Sequence, residues 1–154
     1  MKKVALAVAI AAASSSLMAQ SVGKSEDQVR WRQSAYQTMA WNMTRIKVNL
    51  ESNYNKDQVA QAANVIQAIA NSGMGSLYAP GTEKAKGWEP THAKPELFTD
   101  KEGVGKVAVA FNKEANELAK LAAGGDAAAV KAQFGKLTEA CKACHKDYRV
   151  EEKH

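Results

Sequence analysis

The chain has 154 residues, with 21 Lys and Arg against 16 Asp and Glu, and two cysteines. That length suits one domain around one core, and a net charge of +5 favours acidic partners without amounting to a nucleic-acid footprint. No nucleic-acid motif, low-complexity tract or internal repeat is found, and no apolar run is long enough to give a membrane span.

The N-terminus reads as a secretory signal peptide. Lys2-Lys3 is the basic segment, Val4 to Ala13 the apolar run, and Ser14-Ser15-Ser16-Leu17-Met18-Ala19 the small-residue exit. Cleavage is expected after Ala19, although Leu17 suits its place before the cut poorly. The organisation is then a signal over 1–19 and one domain over 20–154, less basic by Lys2 and Lys3. A membrane anchor competes with this reading, but the run is too short to cross a bilayer.

Beyond the signal, apolar residues recur at three- and four-residue spacing, which predicts helices throughout. The first should open at Ser25, where Ser25-Glu26-Asp27-Gln28 has capping-box form. Val29, Tyr36, Met43 and Leu50 then fall seven apart, with Met39 and Ile46 interleaved, as along a bundle seam. Trp31 and Trp41 would point away from that seam. A second helix follows Asn55, turns Val59, Ala62, Ile66 and Ile69 inward, and stops at Gly73.

From 73 to about 98, Gly73, Gly75, Gly81 and Gly87 with Pro80, Pro90 and Pro95 predict a long irregular connection. A third helix is expected from the capping box Thr99-Asp100-Lys101-Glu102, burying Val104, Phe111, Ala115 and Leu118 until Gly124-Gly125. Asp126 should cap the fourth, whose inward set is Val130, Phe134, Leu137, Cys141, Cys144 and Tyr148. The fold class is all-α, an antiparallel four-helix bundle with a long loop between the second and third helices.

Cys141-Lys142-Ala143-Cys144-His145 carries the chemistry. C-x-x-C-H is the attachment pattern for a covalent c-type haem: thiols three apart on a helix lie on nearly one face, and the next imidazole can bind iron. A thioredoxin-like pair would need a βαβ setting that the periodicity does not offer. A zinc site would need His92 and His154 at a spacing that fits no common pattern. A disulfide between the two cysteines remains open in an oxidising compartment, though it leaves His145 unexplained. One covalently attached haem c per chain is the expected cofactor, and export of the chain suits it.

Over its mature length the chain resembles the cytochromes c′, high-spin class II c-type cytochromes of bacterial periplasms. The resemblance rests on Cys141 to Arg149, on Arg32-Gln33-Ser34-Ala35, and on Ala79-Pro80-Gly81-Thr82-Glu83. It implies His145 as the iron's fifth ligand and Arg149 beside that ligand on the proximal face. It implies Arg32 and Gln33 at the haem propionates, and Lys94 and Glu96 where the loop approaches the haem edge. Arg32 also occupies a seam position, where a buried cation needs a partner. Tyr36 matches the bulky residue that covers the distal iron face without ligating it, since a neutral phenol is a poor ligand.

The function implied is a periplasmic haem protein, not an enzyme, with five-coordinate iron that binds nitric oxide and carbon monoxide and transfers single electrons. The resemblance also implies a homodimer through the first helix and an unidentified periplasmic redox partner. Two other readings stand beside it. One is a low-spin class II carrier with Met39 or Met43 as sixth ligand, although methionine at seam spacing is commonly core filler. The other is a haem enzyme, a peroxidase or nitric oxide reductase, which wants a distal acid–base residue.

Overall fold

A computed structural model describes residues 22–150. The signal segment over 1–19 and His154 lie outside the described residues. Within them the chain forms α1 (Ser25–Glu51), α2 (Lys56–Ala70), a 3₁₀ turn (Met74–Leu77), a short α3 (Glu96–Thr99), α4 (Lys101–Gly124) and α5 (Ala127–Tyr148). No strand forms among the described residues; two isolated bridges, Lys86 with Pro90 and Ala93 with Arg149, are the nearest approach. The fold is an all-α four-helix bundle, as the periodicity predicts.

The long helices pack in chain order, α1 on α2, α2 on α4 and α4 on α5. Their shared core contains Ile46, Val59, Ala62, Ile66, Ala115, Leu118, Ala122, Val130 and Leu137, all fully or almost fully buried. Small residues on α2 and α4 let those helices approach closely, and Leu and Ile from α1, α4 and α5 fill between them. Cys141 packs against the edge of this core, so the apolar stripe of α5 does run into the first cysteine.

Three termini follow expectation closely. Asn55 caps α2 by accepting from the Gln58 N–H, and Asp126 caps α5 by accepting from the N–H groups of Ala128 and Ala129. Gly125 closes α4 at φ +82°, in the left-handed region that glycine enters without a Cβ penalty, and its N–H reaches the Leu121 and Ala122 carbonyls.

Both capping boxes need correction. Helix α1 begins at Ser25, but its N-cap is Lys24, whose side chain makes no cap bond. Gln28 instead turns back and donates from Nε2 to the Gly23 carbonyl at 3.3 Å. Helix α4 is capped by Asp100, which accepts from the Gly103 N–H at 2.9 Å, while Thr99 closes α3 by donating to the Glu96 carbonyl. The seam of α1 also differs. Val29, Met39 and Ile46 are buried, Met43 and Leu50 half-buried, and Tyr36 is 41 % exposed.

Two further inward positions of α1, Asn42 and Asn49, are polar and satisfied by nearby groups. Asn42 donates to the Thr38 carbonyl and accepts from Arg45. Asn49 donates to the Arg45 carbonyl and to Gln58, and accepts the Asn55 N–H, so it pins the α1–α2 turn. Ile69, Val104, Phe111 and Phe134 are half-buried rather than core.

Candidate haem site

The long connection is a strap laid across the first half of α1, and glycine permits the approach. A Cβ on Gly87 would meet Val29 Cγ1 at 2.8 Å and the Arg30 backbone nitrogen at 2.9 Å, besides striking Gln33 Oε1. Gln33 grips that turn from both ends of its amide. Its Oε1 accepts from the N–H groups of Trp88 at 2.8 Å and Glu89 at 3.4 Å, and its Nε2 donates to the Glu89 carbonyl at 2.9 Å.

Arg32 is the deeper anchor. Only 3 % exposed, it donates from Nη1 to the Leu77 carbonyl (3.2 Å) and Thr82 Oγ1 (3.1 Å), and from Nη2 to the Thr82 carbonyl (3.1 Å) and Thr91 Oγ1 (2.9 Å). The cost of burying this cation is offset by neutral oxygens of the strap, and burial lowers its pKa from the usual arginine value. The two stretches quoted for the resemblance, around Arg32 and around Thr82, therefore meet in space.

Further along, the strap reaches the end of α5. Lys94 N–H donates to the Tyr148 carbonyl at 2.9 Å, Lys94 Nζ to the Lys146 carbonyl at 2.9 Å, and Val150 N–H to the His92 carbonyl at 2.8 Å. Lys94 is thereby brought beside the C-x-x-C-H turn. Glu96, at the start of α3, is exposed. Arg149 is the C-cap of α5 in extended conformation, not a further helical residue, because the strap draws the chain into the Ala93 bridge. Its N–H still donates to the His145 carbonyl at 3.0 Å.

The donor set fits a covalently held haem. Cys141 and Cys144 are free thiols on one side of α5, both half-buried, and neither is spent in a disulfide. Burial pushes both thiols up, Cys141 further through the neighbouring Cys144 charge and Cys144 through Asp147. Burial and then the Arg149 charge push the His145 imidazole down, favouring the neutral form that can bind a metal. Among the described residues, no group of three or more His, Cys, Asp and Glu side chains is placed to hold a metal ion.

Opposite this turn stand two phenols. Tyr36 from α1 and Tyr78 from the strap are joined by a 3.0 Å hydrogen bond from Tyr78 Oη to Tyr36 Oη. Burial raises the Tyr36 pKa, the hydrogen bond with Tyr78 partly opposes it, and charges on Cys144 and Cys141 act in the raising direction. Tyr36 thus lies within electrostatic reach of both thiols. Met39, by contrast, is 7 % exposed and packed in the hydrophobic core, with Met43 against it.

Sequence reasoning missed Tyr78, Thr82, Thr91 and the Asp100–Tyr148 pair. Thr82 and Tyr78 had a signal, an aromatic and a hydroxyl flanking Pro80-Gly81 in a loop too long to be idle. Thr91 carried none, and nothing local joins Asp100 to Tyr148, because the partners lie 59 and 48 residues apart.

Comparison with known proteins is consistent with this geometry. The cytochrome c′ family model matches residues 27–149. A cytochrome c′ of Rhodocyclus tenuis is 68 % identical over 127 residues, 82 % of this chain and 96 % of that one. A solved cytochrome c′ with "an unusual ligand-controlled dimer dissociation" superposes at TM-score 0.81 and 53 % identity, covering 84 % of this chain and 98 % of its own. A mutant of the Alcaligenes xylosoxidans protein, solved as a nitric oxide complex, superposes at TM-score 0.73 and 29 % identity, with 84 % and 98 % coverage.

Proposed function

The chain belongs to the cytochrome c′ family and is a haem protein carrying covalently attached haem c; from that premise we propose that it binds nitric oxide and carbon monoxide at five-coordinate iron and exchanges single electrons in the periplasm. When bound, the haem supplies an iron centre for one-electron transfer and for a diatomic ligand. Cys141 and Cys144 would hold it covalently, and His145, kept neutral, would bind its iron. Arg149, whose charge reaches His145, stands at the proximal side. Arg32, Gln33, Lys94 and Glu96 are assigned to the haem edge, the first three through the strap that they anchor.

The observation that supports the reading is Tyr36 on α1, within electrostatic reach of both thiols and hydrogen-bonded to Tyr78, while Met39 is packed in the core. A protonated phenol blocks a coordination position without filling it, so the side chain admits a small neutral ligand at a steric cost. The nitric oxide complex of the Alcaligenes xylosoxidans relative supports the ligand class. The ligand-controlled dimer of the other structural relative supports a homodimer. Trp31 and Trp41 on α1, 45 % and 61 % exposed, supply an apolar surface suited to it.

Carbon monoxide titration of wild type and Tyr36→Ala tests the reading. Tyr36→Ala should bind faster and more tightly because the ligand no longer displaces a ring. Unchanged binding places the guard elsewhere.

A further inference from the structure

We infer that Tyr78 is the catch of the distal gate: its hydroxyl holds Tyr36 in the blocking position, and a ligand that displaces Tyr36 must also break this bond. The inference rests on Tyr36 being the gate and adds the residue that sets its resistance.

The two phenols belong to separate elements, Tyr36 to α1 and Tyr78 to the end of the 3₁₀ turn in the strap. Tyr36 is mid-helix on α1, and its ring leaves the site by rotating about its own side-chain torsions. Tyr78 sits in the strap and is held on three sides. Arg32 bonds the carbonyl of the preceding residue, Leu77, at 3.2 Å. The same guanidinium lies 4.5 Å from the Tyr78 ring centroid, a cation–π contact. Phe98 of α3 meets the ring edge-on, with centroids 6.1 Å apart and planes at 61°. The Tyr78 N–H closes the 3₁₀ turn on the Gly75 carbonyl.

The Oη–Oη bond therefore joins a fixed donor to a mobile acceptor. Arg32 positions Tyr78, and Tyr78 positions Tyr36. Neither residue needs to touch the ligand, so Tyr78 is a positioning residue. A catch of this kind adjusts how readily the gate opens while leaving its size, and hence its steric selectivity, unchanged.

The test uses holoprotein and conservative variants. Tyr78→Phe keeps the ring, the cation–π contact and the Phe98 packing and removes only the donor. It should raise the carbon monoxide association rate roughly two- to tenfold, the range that one neutral hydrogen bond supports. Tyr36→Phe removes the acceptor and should give the same increase, and Tyr36→Phe/Tyr78→Phe should add nothing further, because both changes break one bond. Ultraviolet resonance Raman supplies a readout independent of binding. The difference spectrum that isolates Tyr36 should change when Tyr78→Phe is the background.

A Tyr78→Phe rate at or below wild type, with Tyr36→Ala fast, overturns the catch and leaves the gate standing. Multiplicative effects in the double variant, or an unaltered Tyr36 Raman signature, also overturn it. Unchanged binding in Tyr36→Ala removes the gate and the catch together.

Discussion

The Tyr148 hydroxyl donates to Asp100 Oδ2 at 2.6 Å, joining the residue one turn beyond His145 to the N-cap of α4. Gly103 lies beneath the pair, and any Cβ there would strike both oxygens. The end of the haem-bearing helix is thus tied to the start of its neighbour by a single charge-assisted bond.

That bond gives stability two pH edges. The hydrogen bond from Tyr148, then that from the Gly103 N–H, hold the Asp100 carboxyl below its usual range. Its contribution is therefore full above the ordinary carboxylate pKa of about 4 and is lost as pH falls through the lowered folded value. The same bond is the main cause that pushes the Tyr148 phenol up to about 12. Its contribution is full below about 10, the unfolded value, and is lost as pH rises towards the folded one. Urea unfolding of Tyr148→Phe across pH should show both edges flattened, and a curve parallel to wild type would discount the bond.

Haem attachment is tested at three positions. Cys141→Ala or Cys144→Ala should leave a single thioether or none in denaturing gels stained for haem, and His145→Ala should abolish the proximal ligand's spectral signature. Apoprotein should lose cooperative unfolding, since a ligand bound only to the native state stabilises it. Apoprotein as stable as holoprotein would mean that the haem lies at the periphery.

Optical spectra decide the sixth position. Both redox states should be predominantly high-spin at neutral pH. Met39→Leu, a near-isosteric core change costing less than about 1.5 kcal/mol, should leave them unaltered. A low-spin spectrum in wild type that disappears in Met39→Leu or Met43→Leu would restore methionine ligation.

Gly87→Ala probes the strap. The added methyl meets Val29 and the Arg30 backbone, so overpacking should cost about 1–3 kcal/mol. Hydrogen exchange should rise first at the Trp88 and Glu89 amides, which Gln33 holds. Unchanged protection there would show that the strap rests on Arg32 alone.

Assembly is read by sedimentation. Holoprotein should be dimeric at high micromolar concentration, and Trp41→Glu should yield monomer by placing a charge in an apolar contact. A Trp41→Glu dimer as tight as wild type would move the interface off this face of α1.

Helices were legible wherever periodicity and caps agreed, as at Asn55, Gly125 and Asp126. The boxes at Ser25 and Thr99 misled because a local motif cannot register a competitor from elsewhere in the fold. Asp100 is engaged by Tyr148 as well as by Gly103, and Gln28 is buried and turned towards Gly23. At the site, Cys141, Cys144 and His145 are contiguous and so could be read directly. Arg32 was recognised as a buried cation in need of partners, but those partners are scattered over a loop whose path no local rule dictates. Spacing alone puts Tyr36 on the seam, yet it is substantially exposed, because spacing does not tell what covers a helix face.

The strap's bonds reach far along the chain: Arg32 to Leu77 spans 45 residues, to Thr82 50, and to Thr91 59. In the bundle, α1 with α2 and α4 with α5 are neighbours in sequence, whereas α2 meets α4 across the whole strap, Gln67 to Asn116 spanning 49 residues. Contacts that close short loops form early and those that close long ones form late. The two hairpins can therefore form first, and the segment bearing Tyr78 settles only as they dock or afterwards. Such a late-joining unit is also the first to detach near the native state. Partial opening at this end would release Tyr78 and Tyr36 while the helices stay packed, so ligand entry would be sensitive to mild denaturant well below the concentration that melts the fold.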